Sequence, residues 1–247
     1  MNHQDGLTSR CFIIFRRSPA LFVAIAVLPY ATLHVALLLL TWVFVRRIGG
    51  EGVDLRTQWL AMTMPNRLAF LALFLLWVTL PYAVAGRGIC HIAFDHMTGG
   101  ETTFRRRVYD MLGFMPSAVV LGAIASIAAF LGVAIFLIPG FIVGALFSLA
   151  IPAGVVEQAG PFAALRRGVS RATRVFGLVF ILFFAYSAIV FAALILQGVF
   201  VRAVPEVISF RVPILIGCSL IPIVPLVLLF ICFTLLYLDG GTKPEVL

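Results

Sequence analysis

Six long apolar runs, separated by short basic or polar segments, dominate the pattern of this chain. A helix needs about 20 apolar residues to cross the hydrocarbon core of a bilayer. The runs are Ala20–Val45, Leu68–Val84, Pro116–Leu137, Phe141–Val156, Val175–Val201 and Val212–Leu238. The pattern predicts an all-α membrane protein with six transmembrane helices, in a single integral membrane domain over residues 1–247.

Two details refine these runs. The second run is expected to continue as helix toward His96, at the membrane surface. Only Ile138, Pro139 and Gly140 separate the third run from the fourth, which predicts a tight helical hairpin. The fourth run is the shortest and contains Pro152, so a tilted or partly re-entrant helix is an open alternative.

Three shorter segments have the period of an amphipathic helix, and each precedes a pair of apolar runs. Their apolar faces consist of Leu7, Cys11, Ile14 and Phe15, of Phe104, Val108, Met111, Leu112 and Met115, and of Phe162, Leu165, Val169 and Ala172. Arginines occupy the other sides, as in helices that lie in the headgroup plane. We predict about three amphipathic interfacial helices and a three-fold internal repeat. The alternative is that these are the basic helix ends of any multi-pass protein.

Composition agrees with a membrane location. The chain is 62% hydrophobic and 11% charged, with a mean hydropathy of +1.13, whereas a soluble domain is about 25% charged. The net charge is +8. The arginines flank the apolar runs, so we assign this charge to topology and anionic lipid rather than to nucleic acid.

The distribution of Lys and Arg predicts that both termini are cytoplasmic. With that orientation, 12 of the 18 basic residues are cytoplasmic and 6 lie on the other side. The cytoplasmic set is Arg10, Arg16, Arg17, Arg87, Arg105, Arg106, Arg107, Arg166, Arg167, Arg171, Arg174 and Lys243. The segment Arg46–Arg67 is then an external loop. The first apolar run is too long for a cleavable signal and is expected to remain as a helix.

Glu157 is the most conspicuous candidate for a site, because an acid at the membrane boundary is costly unless it is paired or hydrated. It ends the fourth run and precedes a basic segment by about two turns. It could bind a cation, a proton or a polar headgroup. Alternatively, it pairs with an arginine such as Arg166 or Arg167 and stabilises the turn.

Other polar residues offer less chemistry. In the cluster Cys90, His91, Asp95, His96 and Glu101, only His91 and Asp95 share a helical face, which favours a hydrated helix end over a metal site. His34 lies in the first run without an acidic partner at its depth. Neither catalytic residues nor a cofactor or metal site is predicted. Small residues at Gly140, Gly144 and Ser148, and at Gly122 and Ser126, predict packing of the third helix on the fourth.

One stretch resembles a known family. It contains the Pro139–Gly140 pair, an apolar helix with Pro152, the acid Glu157 and the segment Ala164–Arg167. This order is similar to the membrane domain of the glycerophosphoryl diester phosphodiesterase family and to related six-helix bacterial inner-membrane proteins. The resemblance implies six spanning helices with amphipathic cytoplasmic helices between them, in the bacterial cytoplasmic (inner) membrane.

The chain also departs from that family pattern. The family often has a serine where this chain has Gly168, and it often ends near a tyrosine, an aspartate and an arginine. Here Tyr237 and Asp239 are followed by Gly240 and Gly241. The family's phosphodiesterase chemistry belongs to a separate soluble barrel domain, so the resemblance implies no enzymatic activity for this chain.

The sequence therefore predicts a non-enzymatic membrane module that organises anionic lipid, with a protein partner or a second copy of the chain as further candidates. The arginines predicted to contact lipid headgroups are Arg105, Arg106, Arg107, Arg166, Arg167, Arg171 and Arg174. A small transporter or channel with a site near Glu157 is the alternative. An intramembrane enzyme has the least support, because polar groups in the apolar runs are isolated.

Overall fold

The computed structural model describes residues 6–32, 64–100, 103–135, 137–203 and 221–239. These residues form nine α-helices and no strand, which confirms the predicted all-α class. The helices are α1 Leu7–Arg17, α2 Pro19–Thr32, α3 Met64–Thr98, α4 Phe104–Ile135, α5 Leu137–Ser148, α6 Ala150–Val156, α7 Pro161–Arg174, α8 Phe176–Ala203 and α9 Ile223–Asp239.

The helices follow the predicted runs wherever the chain is described. Helix α3 extends through Thr98, which confirms that the second run continues as helix to His96. Several predictions concern residues outside the described ranges. They concern the part of the first run after Thr32, which includes His34, and the external loop from Arg46 up to residue 63. They also concern Glu101 and the start of the sixth run.

Helices α8 and α9 are both strongly apolar, but they have opposite environments. Helix α9 is buried along nearly its whole length and packs against α1, α3 and α8. Within the described residues, α8 supplies the one helix that is long and apolar enough to cross a membrane, Phe176–Ala193, and only 11% of that window is buried. A second candidate exists if α1 and α2, bent by 87°, form one span.

The join between the third and fourth runs differs from the prediction. Ile138, Pro139 and Gly140 lie inside α5 instead of forming a turn. Pro139 is in the first turn of α5, where its missing N–H has no intrahelical acceptor and therefore costs little. Helices α4 and α5 pack against each other. Gly144 faces α8 rather than α4, because a Cβ there would lie 2.7 Å from the Phe183 ring.

The fourth run is interrupted at Leu149, between α5 and α6. Pro152 explains the position of this break. Its ring clashes with the carbonyl four residues earlier, that of Ser148, and it cannot donate to it. Helix α6 resumes at once, with the Ala153 N–H donating to the Leu149 carbonyl at 3.1 Å.

The three amphipathic segments are all helical, but the second is not a separate helix. Helix α4 continues from Phe104 through Pro116 into the third apolar run without a break. By contrast, α1 ends at Arg17 before a sharp bend, and α7 ends at Arg174. The term surface helix is used below for α1, for residues 104–115 of α4, and for α7.

Candidate functional site: three clasps between surface helices and apolar helices

The first site of interest surrounds Glu157, which follows α6 directly. The Arg167 guanidinium and the Tyr237 hydroxyl donate to its two carboxylate oxygens, Oε2 and Oε1 respectively. Arg171 Nη2 lies 3.3 Å from Oε1, and its guanidinium stacks 3.9 Å from the centre of the Tyr237 ring. Arg171 also donates to the Tyr237 carbonyl. Glu157 thus joins the end of α6 to α7 and to the end of α9.

Close backbone packing places α7 in reach of Glu157. Pro161 stands at the first position of α7, where its fixed φ favours the helix. The buried stripe of α7 consists of Ala164, Gly168 and Ala172. A Cβ on Gly168 would lie 2.5 Å from the Ala150 nitrogen and 2.7 Å from the Leu149 carbonyl carbon. Because these are backbone atoms, only glycine permits this approach.

This stripe corrects the predicted face of α7. The predicted apolar face of α7 was Phe162, Leu165, Val169 and Ala172; Ala172 is buried, but Phe162 is 70% exposed. The small residues lie inward instead, because α7 packs on the backbone at the α5–α6 break. At Gly168 this close contact leaves no room for any side chain.

A second cluster joins α3 to the surface helix of α4. Arg107 is only 4% exposed, and it donates to Asp95 near the end of α3 and to Asp110 at 2.8 Å. Helix α3 ends at Thr98. Gly99 follows with φ of 77°, and the Gly100 N–H donates to the Asp95 carbonyl at 2.9 Å. This is a Schellman ending, which requires the left-handed conformation that glycine adopts freely.

A third cluster joins the two ends of the described chain. Arg10 of α1 binds Asp239, the last residue of α9, through two hydrogen bonds of 2.7 and 3.1 Å. Bidentate pairs of this kind have a fixed geometry as well as charge complementarity. On the same helix, the thiol of Cys11 donates to the Leu228 carbonyl of α9 at 3.3 Å.

The three clusters follow one rule. A carboxylate at the end of an apolar helix, Asp95, Glu157 or Asp239, binds an arginine of the next surface helix, and the last carboxylate binds the first surface helix. We call each such arrangement a clasp. Ser18 Oγ lies 2.6 Å from His96 Nε2, and Tyr237 links Glu157 to the α9 terminus. The clasps therefore lie at one end of the bundle, and they connect the surface helices cyclically.

Burial and neighbouring charges shift the pKa values of Glu157 and His91. Burial raises the pKa of Glu157, but the hydrogen bonds from Tyr237 and Arg167 outweigh it, and the pKa lies below its ordinary value. Burial, followed by the charges of Arg87 and Arg107, lowers the pKa of His91 to about 4. Glu157 is therefore ionised and His91 neutral at pH 7.

Three residues of the predicted cluster, Cys90, Asp95 and His96, have separate partners. Cys90 is fully buried against α9, Asp95 binds Arg107, and His96 contacts Ser18. The interpretation of this segment as a hydrated helix end is wrong for Cys90. In the part of the chain that the structure describes, no three His, Cys, Asp or Glu side chains are grouped as a metal site would require.

The predicted headgroup arginines fall into two groups. Arg107, Arg167 and Arg171 belong to clasps. Arg105, Arg106, Arg166 and Arg174 are exposed and form no ion pair within the described ranges. Glu157 pairs with Arg167, as one of the two sequence interpretations proposed, and not with Arg166.

Exposed aromatic residues accompany the arginines of each surface helix. Phe12 precedes Arg16 by four residues, Phe162 precedes Arg166 by four, and all four side chains are exposed. Tyr109 follows Arg105 by four, and the Arg105 guanidinium lies 5.7 Å from its ring centre. Residues four apart on a helix are neighbours. Every surface helix therefore presents a basic and an aromatic side chain together.

The sequence pattern did not predict that Asp95, Asp239, Arg10 and Tyr237 belong to these clasps. A signal was present: Asp95 follows the second apolar run, whereas Glu157 and Asp239 directly follow the fourth and sixth. The cyclic pairing of Arg10 with Asp239, 229 positions apart, has no local signal in the sequence.

The chain matches no protein-family model, and neither curated proteins nor solved structures gave a match.

Proposed function

We propose that this chain is a non-enzymatic, multi-pass module of the bacterial cytoplasmic membrane that binds anionic lipid headgroups through its surface helices. In this proposal six helices span the bilayer and both termini are cytoplasmic. The exposed apolar surface of α8 supports a lipid environment, since large exposed apolar patches mark contact surfaces. The Arg10–Asp239 pair supports termini on one side.

The observation that carries the proposal is the pairing of an exposed arginine with an exposed aromatic residue on every surface helix. Aromatic side chains favour the membrane–water interface, and arginine near an anionic leaflet contributes about 1 kcal/mol. The clasps strengthen the argument, because they hold the three helices at one end of the bundle. The proposed headgroup ligands are Arg105, Arg106, Arg166 and Arg174, whereas Arg107, Arg167 and Arg171 hold the helices in position.

The alternative, a small transporter or channel with its site at Glu157, has less support. Both oxygens of Glu157 accept hydrogen bonds from Arg167 and Tyr237, so a transported cation would have to displace them. The family resemblance is likewise a proposal. It is supported by the meeting of the acid, the Ala164–Arg167 segment and the terminal tyrosine in one clasp.

The test is binding of phosphatidylglycerol to the detergent-purified protein, measured by native mass spectrometry with phosphatidylcholine as the neutral comparison. Replacement of Arg105, Arg106, Arg166 and Arg174 by Gln should weaken phosphatidylglycerol binding by up to about 1000-fold, because four contributions of about 1 kcal/mol each are lost and about 1.4 kcal/mol corresponds to a tenfold change.

A matched control replaces four arginines assigned to the other side of the membrane, Arg46, Arg47, Arg56 and Arg67, by Gln. This variant loses the same charge and should keep most of the phosphatidylglycerol binding. Equal losses of phosphatidylglycerol binding in the two variants would mean that net charge alone causes the effect. That result would refute the assignment of the binding to the surface helices.

A further inference from the structure

An apolar groove lies where α2, α3 and the surface helix of α4 meet. Its volume is about 270 Å³. Leu28 and Pro29 of α2, Leu80 and Pro81 of α3, and Val108 and Leu112 of α4 line it. Leu112 is itself largely exposed, so the groove opens to the surroundings at the surface helix.

Two prolines explain why this space is not filled. Pro29 lies in α2 and Pro81 lies in the middle of α3, and both line the groove. Each removes one backbone hydrogen bond from its helix and displaces the preceding turn, which bends the helix axis. Both prolines line the groove, so the expected bends fall where the two helices leave space between them.

The lining calls for an aliphatic occupant. Thr32 is the one polar side chain among the lining residues, and its hydroxyl already donates to the Leu28 and Pro29 carbonyls at 2.9 and 3.1 Å. A water molecule needs two to four polar partners to be stable in a cavity. The groove offers at most the Thr32 hydroxyl oxygen, which is too few, whereas it would bury the methylene groups of a hydrocarbon chain.

The positive charge of Arg105 beside the groove favours an aliphatic ligand that carries a negative charge. Arg105 precedes Val108 by three residues and Leu112 by seven, so all three lie on one side of the helix. Arg105 is exposed and stacks beside the exposed Tyr109. An apolar groove that ends at an arginine and a tyrosine complements a lipid with an anionic headgroup.

We propose that this groove binds one acyl chain of an anionic phospholipid, whose phosphate lies at Arg105. The inference rests on the proposed function and makes it specific: one lipid is held in a defined site, in addition to the headgroups that contact the surface helices. Arg105 belongs to both, whereas Leu112 belongs to the groove alone.

The experiment uses native mass spectrometry of the full chain after reconstitution with dioleoyl phosphatidylglycerol, or with dioleoyl phosphatidylcholine as the neutral comparison, and gentle detergent extraction. The wild type should retain one phosphatidylglycerol after the other lipids have been removed. Leu112→Trp should fill the groove and reduce the retained fraction at least about tenfold, because buried methylenes contribute additively to lipid binding. Leu178→Trp, on the exposed surface of α8, is the matched control and should retain the lipid.

The outcomes separate this site from the proposed function. If Leu112→Trp retains the lipid while the four-arginine variant loses phosphatidylglycerol binding, the groove is refuted and the proposed function stands. If the wild type retains phosphatidylcholine equally, the role of Arg105 is refuted. Should Leu112→Trp fail to fold, as judged by gel filtration, the smaller change Val108→Phe tests the same space and must also release the lipid.

Discussion

The Arg107 clasp and the Glu157 clasp connect the same kinds of elements in different environments. Arg107 is 4% exposed and Asp95 16%, whereas Arg167 is 51% exposed and Glu157 25%. The first pair has lost most of its water and depends on complete pairing. The second pair is screened by solvent, so its charges contribute little to stability.

In the Glu157 clasp, close backbone packing takes the place of a buried ion pair. The surface helix of α4 is continuous with the apolar helix that follows it, and Arg107 attaches it to α3. Helix α7 is a separate element, and Gly168 brings its backbone against that of Ala150. The same task of holding a surface helix on the bundle is thus performed by an ion pair in one place and by a glycine contact in the other.

The largest effect is expected from Arg107→Leu. The change leaves Asp95 mostly buried without its partner, and breaking a buried pair in this way costs about 3 kcal/mol or more. The free energy of unfolding in mixed detergent micelles, followed by circular dichroism, measures it. If the cost comes from the orphaned carboxylate, the double variant Arg107→Leu, Asp95→Leu should recover most of the loss.

The control for this variant is Asp110→Asn. Asp110 is 35% exposed and pairs with Arg107 across one helical turn, so its removal should cost about 0.5 kcal/mol or less. A small effect of Arg107→Leu, similar to that of Asp110→Asn, would remove the contrast between a buried and an exposed clasp.

The second largest effect is expected from Gly168→Ala. One added methyl group would overlap the Ala150 backbone and displace α7, at a cost of about 1–3 kcal/mol by the usual measure of overpacking. Thermal unfolding of the purified protein checks this. Gly177→Ala is the matched control, because no atom lies within 4 Å of its added Cβ. That change should be neutral or raise the melting temperature, since alanine favours a helix over glycine.

Periodicity predicted the helices well but predicted their faces less well. The segments 7–17, 104–115 and 161–174 are helical, as their apolar spacing indicates. Of the predicted apolar face of α7, only Ala172 lies in the fully buried stripe, because hydrophobic size is a poor guide where two backbones touch. Ala164 and Gly168 are buried because they are small, and Phe162 is exposed despite its size.

In the candidate site, the sequence predicted contacts between residues close in the chain but not contacts between distant residues. Glu157 and its partner Arg167 lie ten positions apart, and the sequence suggested both. Tyr237 lies 80 positions from Glu157, so its contact depends on where α9 packs. Pro152 shows the reverse case, since its effect on the fourth run follows from its ring alone.

The smallest effect is expected from Glu157→Gln, because the pair is partly solvated. At pH 7 this change should cost about 1 kcal/mol or less. The pKa of Glu157 is lowered in the folded protein, so the unfolded chain takes up the proton at a higher pH than the folded chain does. The stability from the ionised carboxylate is therefore present above about pH 4.3, the ordinary value for glutamate, and is lost as the pH falls through the folded pKa.

The informative quantity is the difference in unfolding free energy between the wild type and Glu157→Gln from pH 7 to pH 3. Protonation of His91, whose pKa is about 4, affects both proteins and cancels in this difference. The difference should shrink toward zero below about pH 4.3. Tyr237→Phe removes one hydrogen bond but keeps the carboxylate and both arginines. The difference in unfolding free energy between the wild type and Tyr237→Phe should therefore vary less with pH than the difference for Glu157→Gln. A Glu157→Gln difference that stays constant to pH 3 would mean that shape, and not charge, holds this clasp.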